Sequence, residues 1–437
     1  MLSALIILVA AAVSLTLAFH PQLAKSSFWR ATVTPLASIM GSGFLVVAPL
    51  LHITVGRYAV PAMTSLLIIA YAVGAVIRFN IRYAEQILKQ KPTTTEVLPR
   101  VHRLHAAFRR TAMLEMRMEA LHISERVSHI VLAGAYFISI SYYLQLLAAF
   151  VLRASGYHGT PVVAKIIVTS IIALLGLTGT IAGLRSFEKI ERYVIALNLG
   201  MIAALITGLL WKNISLWSEG AWTIPDIGIT GSPAHAGRVL MGMLIVVQGF
   251  ETSRFLGTEH PAEERIRSMR FAQWIASGVY LVFLGLIGVM FSGKTTSGSA
   301  DVTAIITIAG SIAPILATLV YVTAIGSQFT ASTADDAGCA GLLEAVVVRF
   351  MPGRFVYAVV AAVAILVTWT TNVLQIISLA SRAFALFYAI QCLVAVLVVL
   401  RPPSDKKSTE RSLLRGALFA LMGLACLAVT IFGIPAG

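Results

Sequence analysis

Gly41-Ser42-Gly43, within Ile39-Met40-Gly41-Ser42-Gly43-Phe44-Leu45, lies midway along an apolar segment running from 32 to 55. A helix in lipid must keep its backbone hydrogen bonds internal, because lipid offers no partners. Two glycines around a serine weaken that ladder, and backbone groups freed there cost several kcal/mol each unless protein, water or a ligand meets them. Interrupted helices at mid-depth are where many secondary transporters hold solute. Among the few ionisable residues inside other apolar spans, two stand out: Glu251 and, in Ser378-Leu379-Ala380-Ser381-Arg382-Ala383-Phe384, Arg382. Such charges are costly in lipid and read as functional by default. An arginine there needs a carboxylate, carbonyls or water. Its expected role is to neutralise Glu251 or a solute carboxylate, with bonding to backbone carbonyls as the alternative. A third candidate is the hydroxyl-rich run Ser327-Gln328-Phe329-Thr330-Ala331-Ser332-Thr333, followed by Asp335 and Asp336. Hydroxyls are hard oxygen donors suited to a small cation, although they also bond the preceding turn. The two aspartates read as interfacial, at the cytoplasmic mouth.

These residues must be positioned by membrane helices. Of the 437 residues, 58% are hydrophobic and 12% charged, and the mean hydropathy is +0.87, which no soluble globular domain matches. The three cysteines, Cys339, Cys392 and Cys426, are scattered and form neither a disulfide framework nor a zinc motif. We number the apolar segments α1 (4–19), α2 (32–55), α3 (59–79), α4 (127–152), α5 (162–184) and α6 (191–211). The second set is α7 (237–257), α8 (271–292), α9 (302–332), α10 (355–371), α11 (373–400) and α12 (412–434). Most reach the ~20 residues needed to cross a bilayer. No Lys or Arg precedes α1, so it lacks the basic start of a cleaved leader and reads as an extra membrane helix.

The basic residues alternate by loop. With 20–31 placed inside, they concentrate in the inside loops, above all in 78–126 with Lys89, Lys91, Arg100, Arg103, Arg109, Arg110 and Arg117. The outside loops hold few, such as Arg57, Arg153, Lys165 and Lys294. The net charge of +14 is therefore a positive-inside bias, not a nucleic-acid surface. It places both termini outside; with a bacterial source assumed, the membrane expected is the inner (plasma) membrane. Within the large inside loop, 98–120 reads as an amphipathic helix on the inner leaflet. The outside loop 212–238, with Trp217 and Trp222, reads as an ordered cap. No P-loop is present, so ATP-driven transport by this chain alone is not expected. His102, His105, His122 and His129 match no metal motif and pair with no nucleophile, so the chain does not read as an enzyme.

Ile39-Met40-Gly41-Ser42-Gly43 with Pro49, and Gln248-Gly249-Phe250-Glu251 in α7, resemble the two signatures of the amino acid–polyamine–organocation (APC) permeases. The resemblance covers about 32–401. It implies an all-α integral membrane protein with about 12 transmembrane helices and a LeuT-type five-plus-five inverted repeat. The first helix of each repeat, α2 and α7 (helices 1 and 6 of the family fold), would be discontinuous. The chain then divides into 1–30 (extra helix and loop), 31–212 (first repeat), 213–401 (second repeat) and 402–437 (last helix).

Carried over, the resemblance implies that solute sits at Ile39, Gly41, Ser42, Gly43, Val246, Val247, Gln248 and Gly249. Ser42 and Gly43 N–H groups would receive a carboxylate, helped by the half-helix dipole. The Ile39 carbonyl and those near Val246 and Val247 would accept from an amine. Glu251 would be the proton-coupled gate. In sodium-coupled members an ion site would join the carbonyls of Ala37 and Met40 to Thr330, Ser332 and Thr333. The chain departs from the family at Ile245, Val246 and Val247, which stand where the family places an aromatic lid. α6 also lacks the lysine of some proton-coupled members, with Asn198 its main polar residue. The expected function is secondary transport of a small organic solute, an amino acid or related amine or carboxylate, coupled to H+ or Na+ or working by exchange. No cofactor or nucleic acid is expected, and the partners are the solute and the bilayer. A non-transporting sensor or scaffold on the same fold is the alternative.

Overall fold

The computed structural model describes residues 2–89, 104–157, 160–182, 185–257, 260–291, 303–347, 355–400 and 406–436. Every regular element among them is helical. Among the described residues, nine runs are long and apolar enough to cross a membrane, and one of these, Ser27–Leu88, contains both α2 and α3. The interrupted α7 and the shorter α10, Val356–Thr370, complete the expected set. The helical solution follows from the solvent, since only internally bonded backbone survives in lipid.

Two groups of helices build the core. α4 packs with α5, α9 and α10, while α2 packs with α3, α8 and the pieces of α7. α11 bridges them, lying against α4, against α7 and against α12 on its outer side. α1 (Leu2–Phe19) lies along α6 (Arg185–Ser218), where Gly200 leaves room for Ala10 and Ser14. Small residues at a crossing are how membrane helices approach closely without a hydrophobic drive.

Several boundaries differ from expectation for physical reasons. α4 is one helix, Leu104–Ala154, so the segment expected to lie on the leaflet continues into the span from residue 104 onward. Residues 98–103, including His102, lie outside the described residues, as do the side chains of residues 104–115 within α4. α9 is two helices, Ala304–Ile312 and Pro314–Val347, with Ala313 extended between them (φ −157°, ψ 133°). Pro314 dictates that break, because proline drives the residue before it out of the helical region. The second piece also runs past residue 332, which draws Asp335 and Asp336 into the interior.

The largest difference is at the glycines. α2 is helical without interruption over Ser27–Val55, through Gly41, Ser42 and Gly43 and through Pro35 and Pro49. The expected break in α2 is absent. Glycine costs a helix about 1 kcal/mol relative to alanine but does not compel it to open. Here the missing side chains serve contact. A Cβ on Gly43 would lie 2.6 Å from Val246 Cα, and one on Gly41 would lie 3.6 Å from Ala331 Cβ. α7 is the helix that breaks. It runs as Pro233–Met241, then 3-10 turns over Leu244–Val247 and Phe250–Phe255. The expected outer cap is ordered: Arg57 N–H donates to Ile227 O (2.9 Å), Thr230 N–H to Thr54 O (3.0 Å) and Trp222 Nε1 to Asn213 Oδ1 (2.9 Å).

Candidate functional site

The α7 break begins where Gly242 abuts the carbonyl of Ile434, leaving no space for a side chain. Its core is Gln248 and Gly249. Gln248 is extended (φ −82°, ψ 173°) and Gly249 takes φ +116°, which side-chain-bearing residues rarely adopt. A Cβ there would also lie 2.7 Å from Ile39 N. The broken strand thus presses on α2 at the residues expected to line the site.

Polar groups at the break and on the adjoining face of α2 are met by side chains from four helices. Ser381 Oγ on α11 accepts from Ile245 N–H at 2.8 Å. The Tyr280 hydroxyl on α8 (Ala262–Ile287) lies 2.6 Å from Val246 O and 3.1 Å from Ile39 O, donating to this pair. Gln248 Nε2 donates to the Tyr143 hydroxyl on α4 at 3.3 Å. On α9, Gln328 Nε2 donates to Gly41 O at 3.0 Å. Glu251 is 0% exposed. Its Oε2 accepts from the Tyr388 hydroxyl of α11 (2.8 Å) and from Gly249 N–H (2.9 Å), and the Tyr388 ring stacks on Phe250.

Three buried acceptors at this centre have no partner among the described residues: Glu251 Oε1, Gln248 Oε1 and Gln328 Oε1. An unmet buried polar atom costs about 1–3 kcal/mol. Asp335 is buried behind them, accepting from Ser139 Oγ of α4. Asp336 is buried too, with Oδ1 unpartnered.

A second polar cluster occupies the far end of α7. Arg254 pairs with Glu125 at 2.6 Å and also donates to Gln391, while Glu125 also meets His129 (3.1 Å). Arg265 pairs with Glu85 at 2.7 Å and donates to Arg254 O at 2.8 Å. Gln391 in turn donates to Ser128 Oγ and accepts from Asn80. These pairs tie α7 to α4, α8 and α11.

A sequence model described as APC superfamily transporter matches residues 21–113 and 103–433. The chain belongs to the APC superfamily of transporters. A relative from Aquifex aeolicus, itself described as an uncharacterized protein, is 36% identical over 380 residues, 86% of each chain. Among solved structures, the Eremococcus coleocola manganese transporter gives a TM-score of 0.50 at 13% identity, covering 93% of this chain and 88% of that one. A Na+-coupled sialic acid symporter, solved substrate-bound and outward-open, gives 0.50 at 12% identity over 99% and 98%. At such identities the likeness shows the fold alone, a LeuT-type arrangement.

In this APC transporter the sequence candidates divide. Ile39, Gly41, Gly43, Val246, Val247, Gln248, Gly249 and Glu251 are brought together around the α7 break. Several expectations need correction. Ser42 and Gly43 sit inside an unbroken helix, so their N–H groups are not at a half-helix end offered to a carboxylate. The Ile39 and Val246 carbonyls, expected to wait for an amine, already face the Tyr280 hydroxyl. Arg382 does not meet Glu251. It is exposed and its Nε donates to Thr430 O on α12 at 2.7 Å, because it lies out of phase with the buried face of α11.

On α9 the hydroxyls of Thr330, Ser332 and Thr333 donate to carbonyls one turn earlier in their own helix. Ala37 and Met40 lie in the continuous part of α2. Asp335 and Asp336 are interior, not interfacial. Sequence reasoning missed Tyr280, Tyr388, Ser139 and Gln328. Their one common signal was a polar residue in an apolar span, a signal shared with many harmless hydroxyls.

Proposed function

We propose that the chain is a secondary active transporter of a small organic solute, an amino acid or related amine or carboxylate, working by alternating access. Membership of the APC superfamily supports transport. The observation that carries the reading to a site is the α7 break, where Glu251 Oε1 and Gln248 Oε1 are buried without partners beside α2. Unmet acceptors suit the N–H donors of an amine or amide, or a proton. Coupling is to protons, with Glu251 as the group that carries the charge, or to sodium, or transport runs by exchange. Hydroxyls that donate to their own helix keep oxygen lone pairs, so Thr330, Ser332 and Thr333 remain the proposed ion-site donors, together with the carbonyls of Ala37 and Met40. The orientation proposed is the one the loop charges favour, both termini outside in an inner (plasma) membrane of bacterial type.

Thermal unfolding of the purified chain against amino acids, polyamines and small carboxylates, with and without sodium and at two pH values, tests this. A solute at about 100 times its dissociation constant stabilises by about 2.7 kcal/mol. A stabilisation that disappears in Gln248→Ala places recognition at the break. Stabilisation that survives Gln248→Ala and Glu251→Gln moves the site elsewhere.

A further inference from the structure

Asp335 is a buried acid that the transport reading does not use. It lies on α9, in the group of helices built around α4, and its hydrogen-bond donor, Ser139, is on α4. Glu251 lies on α7, in the other group. Contacts to the surroundings of both acids converge on one stretch of α4: Ser139, the donor to Asp335, lies one turn from Tyr143, which receives Gln248 of the break. Tyr136, a turn earlier, packs its ring edge-on against Phe384, one turn before Tyr388, the donor to Glu251. Tyr136, on α4, is near both.

The titratable groups around the pair are few. α4 presents Tyr136 and Tyr143, α11 presents Tyr388, and α9 adds Asp336 and Cys339. α12 places Cys426 near Tyr388. Along α7 the next charge is Arg254, already engaged by Glu125 and Gln391. No described cation pairs with either acid. Two ionised carboxylates without a cation in a low-dielectric interior repel and are poorly solvated. The donors reach one oxygen of Glu251 and leave Oε1 unmet, and Gln248 Oε1, three residues earlier in the same break, is unmet as well. An O–H on the carboxyl supplies the donor that such acceptors lack. No three His, Cys, Asp or Glu among the described residues converge to hold a metal ion.

Building on the transport reading above, we propose that Asp335 and Glu251 form one two-carboxyl proton site across the boundary between the two helix groups. The proton comes from water on one side of the membrane and returns to water on the other, and only an O–H bond is made and broken. With the proton bound, the two helix groups close without facing like charges. With it released, repulsion across the boundary favours their separation, so proton occupancy biases the conformational equilibrium.

The test is infrared difference spectroscopy of the full chain reconstituted in vesicles, following the C=O stretch of protonated carboxyl groups as pH is varied. Coupled sites titrate as a pair. Asp335→Asn is expected to remove one component and shift the midpoint of the other by about a pH unit, tenfold in proton affinity. Glu251→Gln is expected to do the same in reverse, by the same factor, as linkage requires. Should Asp335→Asn fail to fold, Ser139→Ala removes only the donor to Asp335 and is expected to move both components. Independent titration of the two components overturns the proposal. So does a signal that follows sodium and ignores pH. Solute flux separates the two readings: reciprocal coupling without flux defeats transport but leaves the pair. Proton-coupled flux with unchanged stoichiometry in Asp335→Asn defeats the pair but leaves transport.

Discussion

α2 and α7 both carry glycines midway along an apolar span, and only α7 breaks. In α2, Gly41 and Gly43 remain helical and make room for Ala331 and Val246. In α7, Gly249 sits at φ +116° after an extended Gln248, and side chains from α4, α8 and α11 meet what the break exposes. A glycine therefore marks either a close approach or a break. Neighbouring side chains reach the backbone of both helices, at Ile39 O and Gly41 O in α2 and at Ile245 N–H and Val246 O in α7, so the glycines alone do not say which helix opens.

The comparison can be broken most forcefully at Gly249. Gly249→Ala forces an L side chain into the left-handed region and onto the α2 backbone. The expected loss is about 3 kcal/mol or more, read as loss of monodisperse protein or a large drop in unfolding temperature. The far cluster comes next. Arg254→Met leaves the half-buried Glu125 with His129 as its remaining charged partner and is expected to cost about 1–3 kcal/mol. At Gly43 the sign is informative. In a free helix Gly→Ala stabilises by about 1 kcal/mol. Here the Cβ meets Val246, and a loss of about 1–3 kcal/mol is expected in thermal unfolding. A gain would mean that the two glycine sites do not differ in the way described.

Smaller effects sharpen the picture. Glu251→Gln keeps the shape and the acceptor for Tyr388, so stability is expected to change by no more than about 1 kcal/mol while ion-coupled flux is lost. Arg382→Gln is expected to fall within about 0.5 kcal/mol and to leave flux intact, since the side chain only reaches Thr430 O at an exposed position.

The twelve spans were legible because hydropathy is set by the bilayer, and Glu251 stood out because an acid in lipid has to be explained. The break at Gly249 was legible through the Gln248-Gly249-Phe250-Glu251 string. Of the two readings of Arg382, the bond to a backbone carbonyl holds and the pairing with Glu251 does not, and the phase was there to see. Ile377, Ser378, Ser381, Phe384, Ala385 and Tyr388 recur at helical spacing on the buried face of α11, and residue 382 falls outside that row. Asp335 and Asp336 looked like the end of a span because hydropathy drops there. The helix instead continues against α4, where a polar side chain faces Ser139 and not lipid. Pro314 was read through because a hydropathy profile does not register a missing N–H. Tyr280 and Tyr388 act through contacts with residues 34 and 137 positions away, which no local pattern reveals.

The central claim, a transporter whose site is the α7 break, is tested most directly by solute uptake into vesicles holding the full chain, under an imposed proton or sodium gradient. Wild type is compared with Gln248→Ala and Glu251→Gln. The account predicts gradient-dependent accumulation of an amino acid or related solute, with uptake weakened by Gln248→Ala and uncoupled from the gradient by Glu251→Gln. Accumulation equal in all three proteins, or none for any solute of the class, would contradict it.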